Sequence, residues 1–180
     1  MKHLANLSLL RRASLRRSAA VLAALAVAGA TPGYAATATT TFAVTATVQS
    51  TCAATAAALA FPNYTPGTGT LTGNTAISVK CTKNSPFTVA LNAGSTTGDA
   101  FAQRLMGSGA NTLQYNLYTT AALTTIFGDG SAGTGTVAGT GAGVATATTV
   151  TVYGQLPDNA TNQAAVPGAY SDTITVTVSY

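Results

Sequence analysis

Six stretches of this chain alternate apolar and polar side chains at every second residue, the period of a β-strand with one buried face. The last is the most regular: Ile174, Val176, Val178 and Tyr180 share one face, with Thr173, Thr175, Thr177 and Ser179 on the other. It reads as a C-terminal core strand. In the first, Phe42, Val44, Ala46, Val48, Ser50 and Cys52 oppose Thr41, Thr45, Thr47 and Thr51. Between them the pattern recurs at Ile77, Val79 and Cys81, at Phe87, Val89 and Leu91, at Leu113, Tyr115 and Leu117, and at Val150 and Val152. Pro62, which offers no N–H to a ladder, makes Leu59–Gly67 an edge or irregular segment with Phe61 and Tyr64 folded inward. Residues 94–109 and 128–143 are Gly-rich and read as loops, and the Ala-rich run 53–60 as a short turn. Six or seven strands at these intervals suit a single two-sheet β-sandwich, an all-β fold.

Composition supports that reading once the N-terminus is set apart. Lys2, Arg11, Arg12, Arg16 and Arg17 precede an apolar run from Ala19 to Ala30, and Gly33 and Ala35 supply the small residues of a cleavage site. Residues 1–35 therefore read as a signal peptide, with cleavage after Ala38 as the second choice. The apolar run is about twelve residues, against the roughly 20 that a membrane-spanning helix needs, and a retained anchor is the lesser alternative. Residues 36–180 remain as one domain. They contain 33 threonines, whose branched Cβ favours extended backbone, and very few charged helix formers. The whole-chain charge of +4 belongs to the leader: Lys80, Lys83 and Arg104 stand against four aspartates afterwards, a net −1. Three scattered cations make no phosphate-tracking surface, so nucleic acid is not an expected partner.

Cys52 and Cys81 are the only cysteines. In an exported chain they are expected to pair with each other, the alternative being two buried free thiols. Both lie on the apolar parity of their strands, so a bridge on the core side needs only the usual Cα separation.

Catalytic chemistry finds little to work with. The single His lies in the leader, and Asp99, Asp129, Asp158 and Asp172 are far apart in sequence, although distant acids can meet in a fold. Asp129 between Gly128 and Gly130 is too poor in carboxylates for calcium, and the Gly133–Gly143 run lacks the Lys of a phosphate loop. No enzyme activity, cofactor or metal is expected. Tyr64, Tyr115, Tyr118, Tyr153, Tyr170 and Tyr180 suit sugar stacking or, as the plainer alternative, packing at core edges. A nearly uncharged, hydroxyl-rich domain can pack on copies of itself without desolvating ions.

In their order and spacing, several stretches resemble the spore coat protein U domain, shared with subunits of archaic, Csu-type chaperone–usher pili. They are TFAVTATVQSTC (41–52), VKCT (79–82), LNAGSTTG (91–98), NTLQYNLYT (111–119), FGDG (127–130), TVTVYG (149–154) and PGAYSDTITVTVSY (167–180). The chain departs from the family pattern at Pro62, where Gly is frequent, and at Phe127, where Trp is.

The resemblance implies an immunoglobulin-like sandwich that lacks its last strand and is completed by donor-strand exchange. A periplasmic chaperone would hold the open groove, and an outer-membrane usher would then replace the chaperone with a segment of another copy or a homologous subunit. Phe42, Val44, Ala46 and Val48 resemble the donor repeat, or else form the domain's own first strand. The expected function is a structural subunit of a surface pilus or fimbrium. A secreted coat or matrix protein and a carbohydrate-binding adhesin are the alternatives.

Overall fold

The computed structural model describes residues 33–180, so the expected leader lies outside the described residues up to position 32. The chain divides at Thr45 into two units. In the first, residues 33–45 have no regular secondary structure and are exposed. The second, Ala46–Tyr180, carries the strands.

Two antiparallel sheets make up this unit. The larger has the order β1-β2-β7-β5-β4, with β1 at Cys52–Ala56, β2 at Leu71–Cys81, β7 at Thr148–Leu156, β5 at Asn111–Tyr118 and β4 at Arg104–Ser108. The smaller has the order β6-β3-β8, with β6 at Val137–Thr140, β3 at Pro86–Leu91 and β8 at Val176–Ser179. Apolar residues of one parity in β2, β5 and β7 face Phe87, Val89 and Leu91 of β3, with Phe127 fully buried among them. Polar residues of the other parity, such as Thr72, Asn74, Thr149 and Thr151, form the outer face of the larger sheet. This is the two-sheet sandwich expected from the alternation, in the open immunoglobulin-like form that the resemblance implies.

Five elements differ from the sequence reading. Residues 41–51 are in no strand, and Phe42, Val44 and Val48 are 83–85% exposed. Alternation selects a face only where a neighbouring strand supplies a ladder, and none of the described strands pairs there. The Ala-rich run begins as β1, because Cys52 is bonded to Cys81 and its backbone is drawn onto β2. The two Gly-rich stretches hold β4 and β6, and a four-residue helix, α1 (Ala160–Gln163), is capped by the Asn159 side chain accepting from Asn162 N–H at 2.9 Å. In the β4–β5 hairpin Gly109, at φ +61°, opens a two-residue turn that a side chain would strain.

Candidate functional site

The bridge between Cys52 and Cys81 joins partners that face each other in the β1–β2 register, with Cα atoms 4.1 Å apart. Thr82 N–H donates to Thr51 O at 2.9 Å, so the ladder bonds fall on the pairs flanking the cysteines. The cysteines occupy the closely spaced pair that makes no ladder bonds, and Cys81 is fully buried. The bridge anchors a strand with little else to hold it, since every other residue of β1 is exposed. Ala54 and Ala56 share the inward parity of Cys52 and yet lie open. Nothing in residues 46–180 covers them.

Across the gap from β1 stands β8, the edge of the smaller sheet. Asn92 N–H donates to Thr175 O at 3.1 Å, and this fixes the phase of the β3–β8 ladder. Thr175, Thr177 and Ser179 direct their backbone groups toward β3. Ile174, Val176 and Val178 direct theirs to the free edge, because successive residues alternate. The same three residues are half-buried and packed against the core. One row of positions thus offers unpaired N–H and C=O groups outward and apolar side chains inward. Tyr180 does not belong to that row: it lies beyond β8 and is 61% exposed, a correction to the core strand expected over 174–180. Thr175 and Thr177 carry the ladder, whereas Tyr180 follows the last paired residue, Ser179.

Between the two edges runs a groove of about 870 Å³. Its floor includes Ile77, Val152, Leu117 and Leu91, and its rims are Ala56–Phe61 on one side and Ile174 and Val176 on the other. Leu59 and Phe61 turn onto the inner face of the larger sheet where Gly73 and Gly154 face each other across β2 and β7. A Cβ on Gly154 would stand 2.8 Å from Leu59 Cδ1 and 2.9 Å from Phe61 Cζ, so only glycine leaves room for this rim. Phe61 meets Tyr115 edge-on at 6.4 Å. The loop beyond is tied down by Asp158, which accepts from Tyr64 Oη at 2.6 Å, Gly67 N–H at 3.0 Å and Gly69 N–H at 2.8 Å. The Tyr64 bond, followed by those backbone donors, holds the Asp158 carboxyl below its ordinary range.

A polar node closes one end. Tyr115 donates to Asp172 Oδ2 at 2.6 Å, and Asp172 Oδ1 accepts from Ser95 N–H and Ser95 Oγ, both at 2.9 Å. Burial by itself would raise Asp172, but the bonds from Tyr115, Ser95 and Thr173 outweigh it and its carboxyl falls below the ordinary value. Asp99 is raised, chiefly by burial and then by the charge of Asp172. These two acids, distant in sequence, meet around Gly94, where a Cβ would collide with both carboxylates. Beside them Arg104 is fully buried. It donates at 2.7 Å to Asn116 Oδ1, Asn92 O and Phe127 O, linking the two sheets, while its Nε has no partner. Sequence reasoning treated Arg104 only as a scattered cation. Its place between Phe101 and the Leu105–Met106 pair was the available signal.

Among the described residues no three His, Cys, Asp or Glu side chains converge to hold a metal, and no helix is long and apolar enough to cross a membrane. What the site offers instead is an apolar slot bordered by an unpaired strand edge, the arrangement into which an added strand fits.

Comparison with known proteins agrees. A chain of the CsuC–CsuE chaperone–tip adhesion subunit pre-assembly complex, from the archaic chaperone–usher Csu pili of Acinetobacter baumannii, is similar at 23% identity and a TM-score of 0.53. The match covers 74% of this chain and 41% of that one, and at this identity it is a likeness of fold. No curated protein sequence matches. The family model described as Spore Coat Protein U domain matches residues 38–177, from before β1 into β8. A secreted or surface location goes with that family and fold. On this match the chain belongs to the Spore Coat Protein U domain family.

Proposed function

We propose that the chain is a structural subunit of a surface pilus, exported with residues 1–35 as its leader and assembled from the 36–180 domain by a chaperone–usher pathway through donor-strand complementation. The observation that carries this reading is the coincidence at Ile174 and Val176 of unpaired backbone groups with an apolar groove of about 870 Å³, the row continuing at Val178 against the core. A periplasmic chaperone strand fills the slot first. At the outer-membrane usher the Phe42, Val44, Ala46 and Val48 row of another copy, or of a homologous subunit, replaces it. The exposure of that row and its lack of a ladder partner support the assignment. Burying its larger side chains yields about 1.5–3 kcal/mol each before ordering costs, and main-chain bonds to the β8 edge add to this.

The test is co-production with the cognate chaperone and usher, followed by electron microscopy and size-exclusion chromatography. Fibres are expected from the native chain. Val44→Asp should give a folded, chaperone-bound subunit that forms no fibres, because Val44 is exposed. A Val44→Asp chain that polymerises normally would sink the donor assignment, and a native chain that stays monomeric with both partners present would sink the pilus reading.

A further inference from the structure

We infer that the outer face of the five-stranded sheet carries a binding site for a neutral oligosaccharide, centred on Tyr118 and Tyr153. The two tyrosines face each other across β5 and β7, both on the outward parity and both half-exposed. Directly opposed residues stand with Cβ atoms about 5 Å apart, so both tyrosines stand side by side on the face turned away from the groove. Beside Tyr118 lies a depression of about 260 Å³ whose polar side chains are all amides and phenols, with no charged group. That volume falls just short of the roughly 300 Å³ at which drug-sized sites begin, which suits a single sugar ring.

Two loops wall the depression, and residues other than its free amides hold them. Asn116 donates to Phe101 O and Ala102 O at 3.0 and 3.1 Å, pinning the loop that carries Gln103. Asn162, fully buried, donates to Pro157 O and Gln114 O and accepts from Gln114 N–H, pinning the other. Gln114 Oε1 is turned by Asn159 Nδ2 at 2.8 Å, and Gln155 Oε1 lies 3.5 Å from the Tyr118 hydroxyl. The NH₂ groups of Gln114 and Gln155 and the whole Gln103 amide bond to none of the described residues.

A preformed hollow therefore presents several unspent amide donors and acceptors next to Tyr118, with Tyr153 opposite it on β7. Vicinal sugar hydroxyls both donate and accept, and so match amides in pairs. The C–H face of a pyranose suits an aromatic surface. The absence of charge in the lining selects a neutral glycan over an acidic one.

The experiment is saturation-transfer NMR on the full chain purified with its chaperone, using cellotetraose, maltotetraose, xylotetraose and mannotetraose as probes and tetragalacturonic acid as the charged control. At least one neutral probe should receive saturation, Tyr118→Ala should weaken its binding about tenfold, the size of a lost aromatic contact, and Tyr118→Phe should weaken it less. If Tyr118→Ala fails to fold, Gln103→Ala on the exposed loop decides: binding should fall with the melting temperature unchanged. Three results would each overturn the proposal: no neutral probe binding, binding that survives Tyr118→Ala or Gln103→Ala unchanged, or preference for the acidic tetramer. These positions are outside the groove rims, so loss of sugar binding with fibres intact separates this site from the assembly reading.

Discussion

Replacing Cys52 and Cys81 together by alanine removes the one covalent tie on the groove rim without leaving a buried free thiol. The bridged residues are 29 positions apart, and closing a loop of that size stabilises the folded state by about 3.6 kcal/mol on the chain-entropy estimate. For a unit of this size that corresponds to a melting temperature lower by roughly 10–15 °C. The loss should also be local. β1 has five residues, only Cys52 is even half-buried, and its remaining support is the ladder to β2. Calorimetry of the chaperone-bound chain measures the first effect. Hydrogen exchange at Ala53 and Thr55, whose partners are Lys80 and Ser78, measures the second. These amides should exchange much faster in the double variant while those of β7 stay protected. A fall of under about 3 °C, near 1 kcal/mol, or Ala53 and Thr55 amides as slow as before, would refute the claim that the bridge holds the rim.

Gly154→Ala should destabilise the unit by about 1–3 kcal/mol through overpacking, since the new methyl meets Leu59 and Phe61 below 3 Å; chemical denaturation measures it, and an unchanged midpoint would show that the Leu59–Phe61 rim is free to move. Acid should also weaken the groove's borders. Asp158 and Asp172 are both held below their ordinary values, so their contribution is full above the unfolded carboxylate range and is lost as the pH falls through it toward the folded values. Asp99, raised, works against stability as it ionises with rising pH, and partly offsets them. The melting temperature should drop on acidification through that range, and Asp172→Asn should flatten the drop; a rise on acidification would contradict the assignment.

Fold class was legible because period-2 alternation survives wherever a strand has one covered face, as at β3 and β5. It failed where a strand lacks such a face or a partner. β4 begins with Arg104, whose burial is made possible by Asn116, Asn92 and Phe127, residues that no local pattern connects to it. β6 is four residues of mixed burial inside a Gly-rich run. At the N-terminus the pattern was present but its partner was not, so alternation over Phe42–Val48 suggested a strand that the described unit does not contain. The groove was readable in part: the cysteine parity and the C-terminal alternation locate its two edges. Its end node was not, because Asp99, Tyr115 and Asp172 are brought together only by the crossing of the C-terminal segment over β4, at the Gly107–Ser171 bridge.

The phase of the β8 edge constrains how an incoming segment can be misread. Backbone and side-chain recognition fall on the same alternate positions, so neither can be satisfied alone. A one-residue slip of the segment considered above would aim Thr41, Ala43, Thr45 and Thr47 at the slot and turn Phe42 and its companions to water. A two-residue slip keeps the parity but sets each side chain against a neighbour's seat. On the proposed donor assignment the open edge works as a reading frame: single insertions or deletions within residues 42–48 should be far more damaging than substitutions that preserve apolar size.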